Sequence, residues 1–247
     1  TNIACRFSSI QFELNLEVIT DRLSGAFINI QHDHCDIYEV STTTARTGIN
    51  VDDNDCRIQN ILCTFNGNST PGSAIINING GSSCYVNGVE MSGTTGPESI
   101  VNIGYDATGT ISGANINNIR CTSNSRAVSV NARGGNITRT MLNNLQVSSF
   151  TGTPQDSVVH ISTEGSHNLD YLTINGVMSS SIPVSGIVII QASSGQMRHI
   201  MLNQVMLPAL SGVGLSMTAT NGSLTYVSSD VCHYEDCATP IFQSGSL

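Results

Sequence analysis

The chain has 247 residues, with nine arginines, no lysine, 18 acidic residues and a net charge of -9. Such a surface excludes nucleic acid and anionic lipid as partners, because both need clustered cations, and without lysine neither P-loop nor Schiff-base chemistry is available. Asn, Ser, Thr and Gly make up 102 residues, 5% are aromatic and none is Trp, a composition poor in helix formers that points to an all-β chain rich in turns.

The chain begins without an initiator Met or a basic, apolar leader, which reads as a processed or excised piece of something longer. No apolar run approaches the ~18 residues of a membrane span, so no membrane insertion is expected. Residues 9–18 alternate strictly through Ile10, Phe12, Leu14, Leu16 and Val18, as an edge strand or an exchanged strand would. Residues 1–24 are therefore set apart as an N-terminal strand region. From residue 25 onward apolar clusters recur, ending at Ile30, Val51, Ile78, Ile103, Val130, Ile161, Ile190 and Met217, 21 to 31 residues apart.

A second cluster follows each turn, with apolar residues at the first and fourth positions. The copies are Ile58-Gln-Asn-Ile-Leu-Cys63, Val86-Asn-Gly-Val-Glu-Met91, Ile116-Asn-Asn-Ile-Arg-Cys121, Leu142-Asn-Asn-Leu-Gln-Val147, Ile174-Asn-Gly-Val-Met-Ser179 and Leu202-Asn-Gln-Val-Met-Leu207, with Ile37-Tyr-Glu-Val40 a weaker one. The polar pair between the apolar positions suits a sharp bend with one left-handed residue. Hairpins do not repeat every ~27 residues with long loops between them, whereas the coils of a solenoid do. The pattern predicts a right-handed, single-stranded parallel β-helix of about eight coils over residues 25–232, followed by a tail at 233–247.

Cysteine supports this register. Cys35, Cys56 and Cys84 share one inward column with Ala114, Thr140, Leu172 and Ile200, and Cys63, Met91, Cys121, Val147 and Leu207 share another. In-register neighbours lie ~4.8 Å apart, wider than the ~3.8 Å that a disulfide prefers between Cβ atoms, so these are read as stacked free thiols. Cys232 and Cys237 lie in one loop and could pair. In the other strand of each coil the inward column reads Ile28, Ile49, Ile76, Val101, Val128, Val159, Val188 and Leu215. A neighbouring outward stripe, with Phe27, Ile75, Ile100, Val158 and Ile187, is apolar and is expected to be covered by a loop or by another subunit.

With its polar bends and stacked core ladders, the sequence resembles the pectate-lyase-like parallel β-helix superfamily, which includes polysaccharide lyases, glycoside hydrolases and bacteriophage tailspikes. The resemblance is architectural. Of the polygalacturonase-like motifs only an acidic pair, Asp52-Asp53, is present, and the Asp-Pro-His signature of alginate-modifying relatives is missing.

Two places can carry chemistry. Alignment of the first repeats puts His32 over Asp53, His34 over Asp55 and Asp36 over Arg57. That patch is either a ladder of opposite charges or a site where His32, His34, Asp53 and Asp55 hold a metal. Asp53 and Asp55 also have a spacing that glycoside hydrolysis can use. Farther along, Arg139, Tyr171 and His199 share an outward column and could line a sugar groove through hydrogen bonds and ring stacking. No cofactor is expected.

The function expected is a virion tailspike-like or appendage-like module, extracellular or on the virion surface, that binds a host-surface glycan. It is expected to assemble as a homo-oligomer, a trimer by resemblance to tailspikes. A secreted polysaccharide hydrolase or lyase of the same fold is the alternative, and a purely structural stalk or decoration protein the second.

Overall fold

The computed structural model describes residues 6–7, 11–13, 28–30, 34–44, 48–65, 73–93, 97–122, 125–148, 157–179, 185–191, 194–207, 213–220, 223–230, 232 and 239–245. In chain order the strands are β1 (Arg6–Phe7), β2 (Gln11–Glu13), β3 (Ile28–Ile30), β4 (Asp36–Thr44), β5 (Ile49–Val51), β6 (Arg57–Phe65), β7 (Ala74–Ile78), β8 (Tyr85–Ser92), β9 (Ser99–Ile103) and β10 (Ile111–Ser112). They continue as β11 (Asn115–Cys121), β12 (Arg126–Ala132), β13 (Ile137–Val147), β14 (Ser157–Thr163), β15 (Leu169–Ser179), β16 (Ser185–Gln191), β17 (Gln196–Met206), β18 (Val213–Ala219), β19 (Ser223–Asp230) and β20 (Thr239–Gly245).

Two sheets collect these strands. The first runs β1-β4-β6-β8-β11-β13-β15-β17-β19, with β2 also on β4 and β10 on β13, and the second runs β3-β5-β7-β9-β12-β14-β16-β18-β20. Each strand pairs with its counterpart one coil away, and every pairing among the described residues is parallel. Together these features define an all-β parallel β-solenoid, and the described residues contain no helix. Pairing runs past both expected boundaries: Gln11–Glu13 joins β4 at Ser41–Thr43, and β20 joins β18 within the segment read as a tail.

The bends sit where the polar pairs are. Glu39, Asn60, Gly88, Asn118, Asn144, Gly176 and Gln204 form one column with φ between 52° and 71°. The left-handed residue is the second of each pair, a conformation that Gly and Asn adopt at least cost. The residue before it faces out and builds a ladder: Asn143 Nδ2 donates to Asn117 Oδ1, Asn175 to Asn143 and Asn203 to Asn175, each at 2.8 Å. A shorter ladder, Asn144 to Asn118 to Asn87, runs beside it. Each such bond contributes about 1 kcal/mol and ties one coil to the next.

The core is the set of inward columns. Cys35, Cys56 and Cys84 stack at 6%, 0% and 2% exposure, and Cys63 and Cys121 are fully buried. All five are free thiols, as is Cys232, and the expected pairing of Cys232 with Cys237 falls outside the described residues. Cys5 and Cys237 lie outside the described residues. Burial pushes the Cys63 thiol up to about 12 and raises that of Cys84 as well. A thiol reagent is expected to leave Cys35, Cys56 and Cys84 unlabelled in the native protein and to label all three after denaturation. Native labelling of all three would put that column on the outside.

The second sheet departs from expectation in two ways. Ile187, not Val188, pairs with Val159 and Leu215, and Val188 pairs with His160. The run 187–190 is apolar throughout, so it has no alternation to reveal a one-residue shift in register. The expected outer stripe is also not on the surface, since Ile75, Ile100, Val158 and Ile187 are all 0% exposed within the single chain. Strands β7 and β9 are buried at every position, so both of their faces are covered. Phe27 lies outside the described residues. The described residues of the stripe therefore offer no surface to another subunit.

The second sheet also carries a buried ion pair. Arg126 at the start of β12 has its guanidinium against the Glu98 carboxylate one coil earlier, with side chains 9% and 24% exposed. The Arg126 amide also donates to the Glu98 carbonyl.

Candidate functional site

A second column of left-handed residues turns the chain into the first sheet: His34, Asp55, Ser83, Gly113, Arg139, Tyr171, His199 and Tyr226, with φ between 54° and 72°. For a non-glycine residue this conformation costs about 1 kcal/mol or more and persists only where the surroundings fix it. Here the surroundings are backbone bonds to the neighbouring coil, such as the His34 amide to Asn54 O and the Asp55 amide to Ser82 O. The two candidate regions of the sequence thus lie on one corner line.

At the early end, His34 Nδ1 is 3.5 Å from Asp55 Oδ2, with both side chains about half exposed. Asp36 is in register with Arg57. These four side chains, with Gln59, Ser83 and Tyr85, line an open groove of about 670 Å³. Asp53 belongs to its own turn, because its Oδ1 accepts from the Asn54 amide and from Asn54 Nδ2 at 3.0 and 3.2 Å. The adjacent Asp52 carboxyl is held above its ordinary value by partial burial and by the Asp53 charge. His32 lies outside the described residues. Among the described residues no group of three or more His, Cys, Asp or Glu side chains is placed to hold a metal ion. The proposed quartet is therefore represented here by the His34 and Asp55 pair.

At the late end the rings form a stack. His199 lies 4.4 Å from Tyr171 and 5.0 Å from Tyr226, with interplanar angles of 5° and 2°. Its Nδ1 is 2.7 Å from Asp170 Oδ1, and Arg198 Nη2 donates to Asp170 Oδ2 at 2.9 Å. Arg139 is exposed on the same corner, one coil before Tyr171. Both faces of His199 are taken by the tyrosines, so its ring edge is what it offers outward, while Tyr171 gives one face to the stack. Tyr226, 74% exposed on the last strand of the first sheet, completes the stack. Sequence reasoning passed over Tyr226, Asp170 and Arg198. The signal was available, since Tyr226 follows His199 at the repeat distance, and Asp170 and Arg198 precede the two ring positions in consecutive coils.

Comparison with family models, curated proteins and solved structures finds no match to this chain.

Proposed function

We propose that this chain is a glycan-binding module of an extracellular or virion appendage, a tailspike-like member of the pectate-lyase-like β-helix superfamily. The observation that carries the reading is the 670 Å³ groove, lined across three consecutive coils by His34, Asp36, Asp55, Arg57, Gln59, Ser83 and Tyr85. A ligand made of hydroxyl groups is held by fixed donors and acceptors in alternation, and this lining supplies both. The carboxylates accept, the guanidinium donates, and the amide, hydroxyl and phenol do either. Strands at ~4.8 Å spacing give the array a rigid, ruled floor. Because the apolar stripe is buried, the proposal is made for the single chain and not for a trimer.

Binding to a panel of bacterial and algal oligosaccharides, followed by calorimetry, tests it. Arg57→Ala and Tyr85→Ala are expected to weaken the bound glycan by roughly tenfold or more, the usual loss for a hydrogen bond to a charged group or a ring contact, with unchanged melting. A panel without a single binder, or binding indifferent to both changes, overturns the reading. Because Asp36 and Asp55 face the same groove, hydrolysis of the bound glycan is the second reading. Release of reducing ends that disappears in Asp55→Asn would establish it.

A further inference from the structure

The large apolar side chains that the described surface exposes are Leu62, Tyr171, Tyr226 and four methionines, Met141, Met178, Met201 and Met206, at 43%, 49%, 44% and 50% exposure. No Ile or Val is among them, and Met91 and Met197 are inside at 0% exposure. The four lie on the outer face of the first sheet, in strands β13, β15 and β17. Met178 is the register partner of Met206, and Met141 and Met201 flank Thr173 in another column. A hollow of about 330 Å³ beside Met178 and Met206, bordered by Arg120 and Gln146, leaves room for a small molecule to reach the sulfur atoms.

From this placement we propose that the outer face of the first sheet is an oxidant-responsive thioether surface, modified by hydrogen peroxide. In each event the sulfur lone pair attacks one oxygen of hydrogen peroxide, the S–O bond forms and the O–O bond breaks. The departing hydroxide takes up the peroxide proton, so the products are one sulfoxide and one water. Sulfur loses two electrons and the peroxide gains them.

Two features make the modification specific. Five of the six described thiols, all but the half-buried Cys232, are buried in the core, and a buried thiol kept protonated is a poor nucleophile. The target side chains do not fill the core, so a polar, chiral sulfoxide can form without displacing packing. The face changes from apolar to polar while the solenoid underneath stays intact.

The experiment is a titration of the native chain with hydrogen peroxide, read by peptide mass spectrometry. One added oxygen is expected at each of Met141, Met178, Met201 and Met206, with Met91 and Met197 reacting at least roughly tenfold more slowly because they first require opening of the core. Strand circular dichroism and melting should be unchanged, retention on a hydrophobic-interaction column should fall, and methionine sulfoxide reductase should restore it. The fourfold variant M141L/M178L/M201L/M206L should fold normally, take up oxygen at no more than the half-buried Met217 before the core opens, and lose the retention change. Uniform oxidation of all methionines, unfolding in step with oxidation, or protection of the four in native protein would each overturn the proposal.

Discussion

Replacing Ile76 by Asp is expected to leave no folded protein. Ile76 sits in the middle of β7, fully buried, with Ile49 and Val101 as its register partners in the coils on either side. A carboxylate there has neither water nor a cation to face. The penalty for burying an unpaired charge is several kcal/mol and approaches the whole margin of about 5–15 kcal/mol that a domain has. Because each coil buries its apolar face against its neighbours, the defect is felt by both of them. Ile76→Val removes one methylene from the same place and should cost only about 0.5–1.5 kcal/mol, giving a cooperative melt at a lower temperature. Far-ultraviolet circular dichroism of the two variants decides the matter, and a soluble, strand-rich Ile76→Asp protein would reverse the inward assignment of this column.

The second large effect is expected at Glu98. Its carboxylate meets the Arg126 guanidinium, which is nine-tenths buried on the second sheet. Glu98→Ala removes a carboxylate from beside that buried charge, and the expected loss is about 1.5–3 kcal/mol, the range for a hydrogen bond to a charged group. Replacing both partners, as Glu98→Leu with Arg126→Met, removes the charge together with its need for a partner and should recover most of the stability. Urea denaturation of the single and double variants measures this directly. If Glu98→Ala costs no more than an exposed pair does, about 0–1 kcal/mol, the Glu98 carboxylate is not what holds the buried guanidinium.

The bends and the thiol columns were legible because each has a local cause. A left-handed residue selects Gly or Asn, and the pairs at 87–88, 117–118, 143–144 and 175–176 display that choice at a fixed place in four consecutive coils, with Glu39 and Gln204 taking it toward the two ends. Cys35, Cys56 and Cys84 occur at one offset from the bend, and the offset alone puts them inside. Reading failed where the cause is not local. The run at 187–190 is apolar on both faces, so periodicity cannot say which residue of a neighbouring pair points inward, and the answer came from pairing to β14 and β18. The covered outer stripe had the same origin, since alternation reports one buried face and the strands of the second sheet have two.

The site was legible as columns and not as contacts. His34 and Asp55 were aligned correctly from the gapless first repeats, and the structure brings them together. Asp53, two residues away, is drawn into a turn by Asn54, a choice of side-chain direction that spacing does not contain. Arg139, Tyr171 and His199 were placed on one line, but the stacking of His199 between two tyrosines depends on the corner conformation, which aims each ring along the next.

The asparagine ladder has a direction. In each step the later coil donates its amide hydrogen to the oxygen of the earlier coil, and the shorter ladder points the same way. Backbone amides in a sheet alternate and largely cancel, whereas these side-chain dipoles add. With a peptide-like moment of about 3.5 D each, the amides of Asn117, Asn143, Asn175 and Asn203 sum to about 14 D along the axis. The solenoid is in this sense an electret, positive toward its earlier coils and negative toward its later ones. Asp230, in register beyond Asn203, supplies a carboxylate where the next step would need an amide hydrogen, and so ends the array at its negative pole.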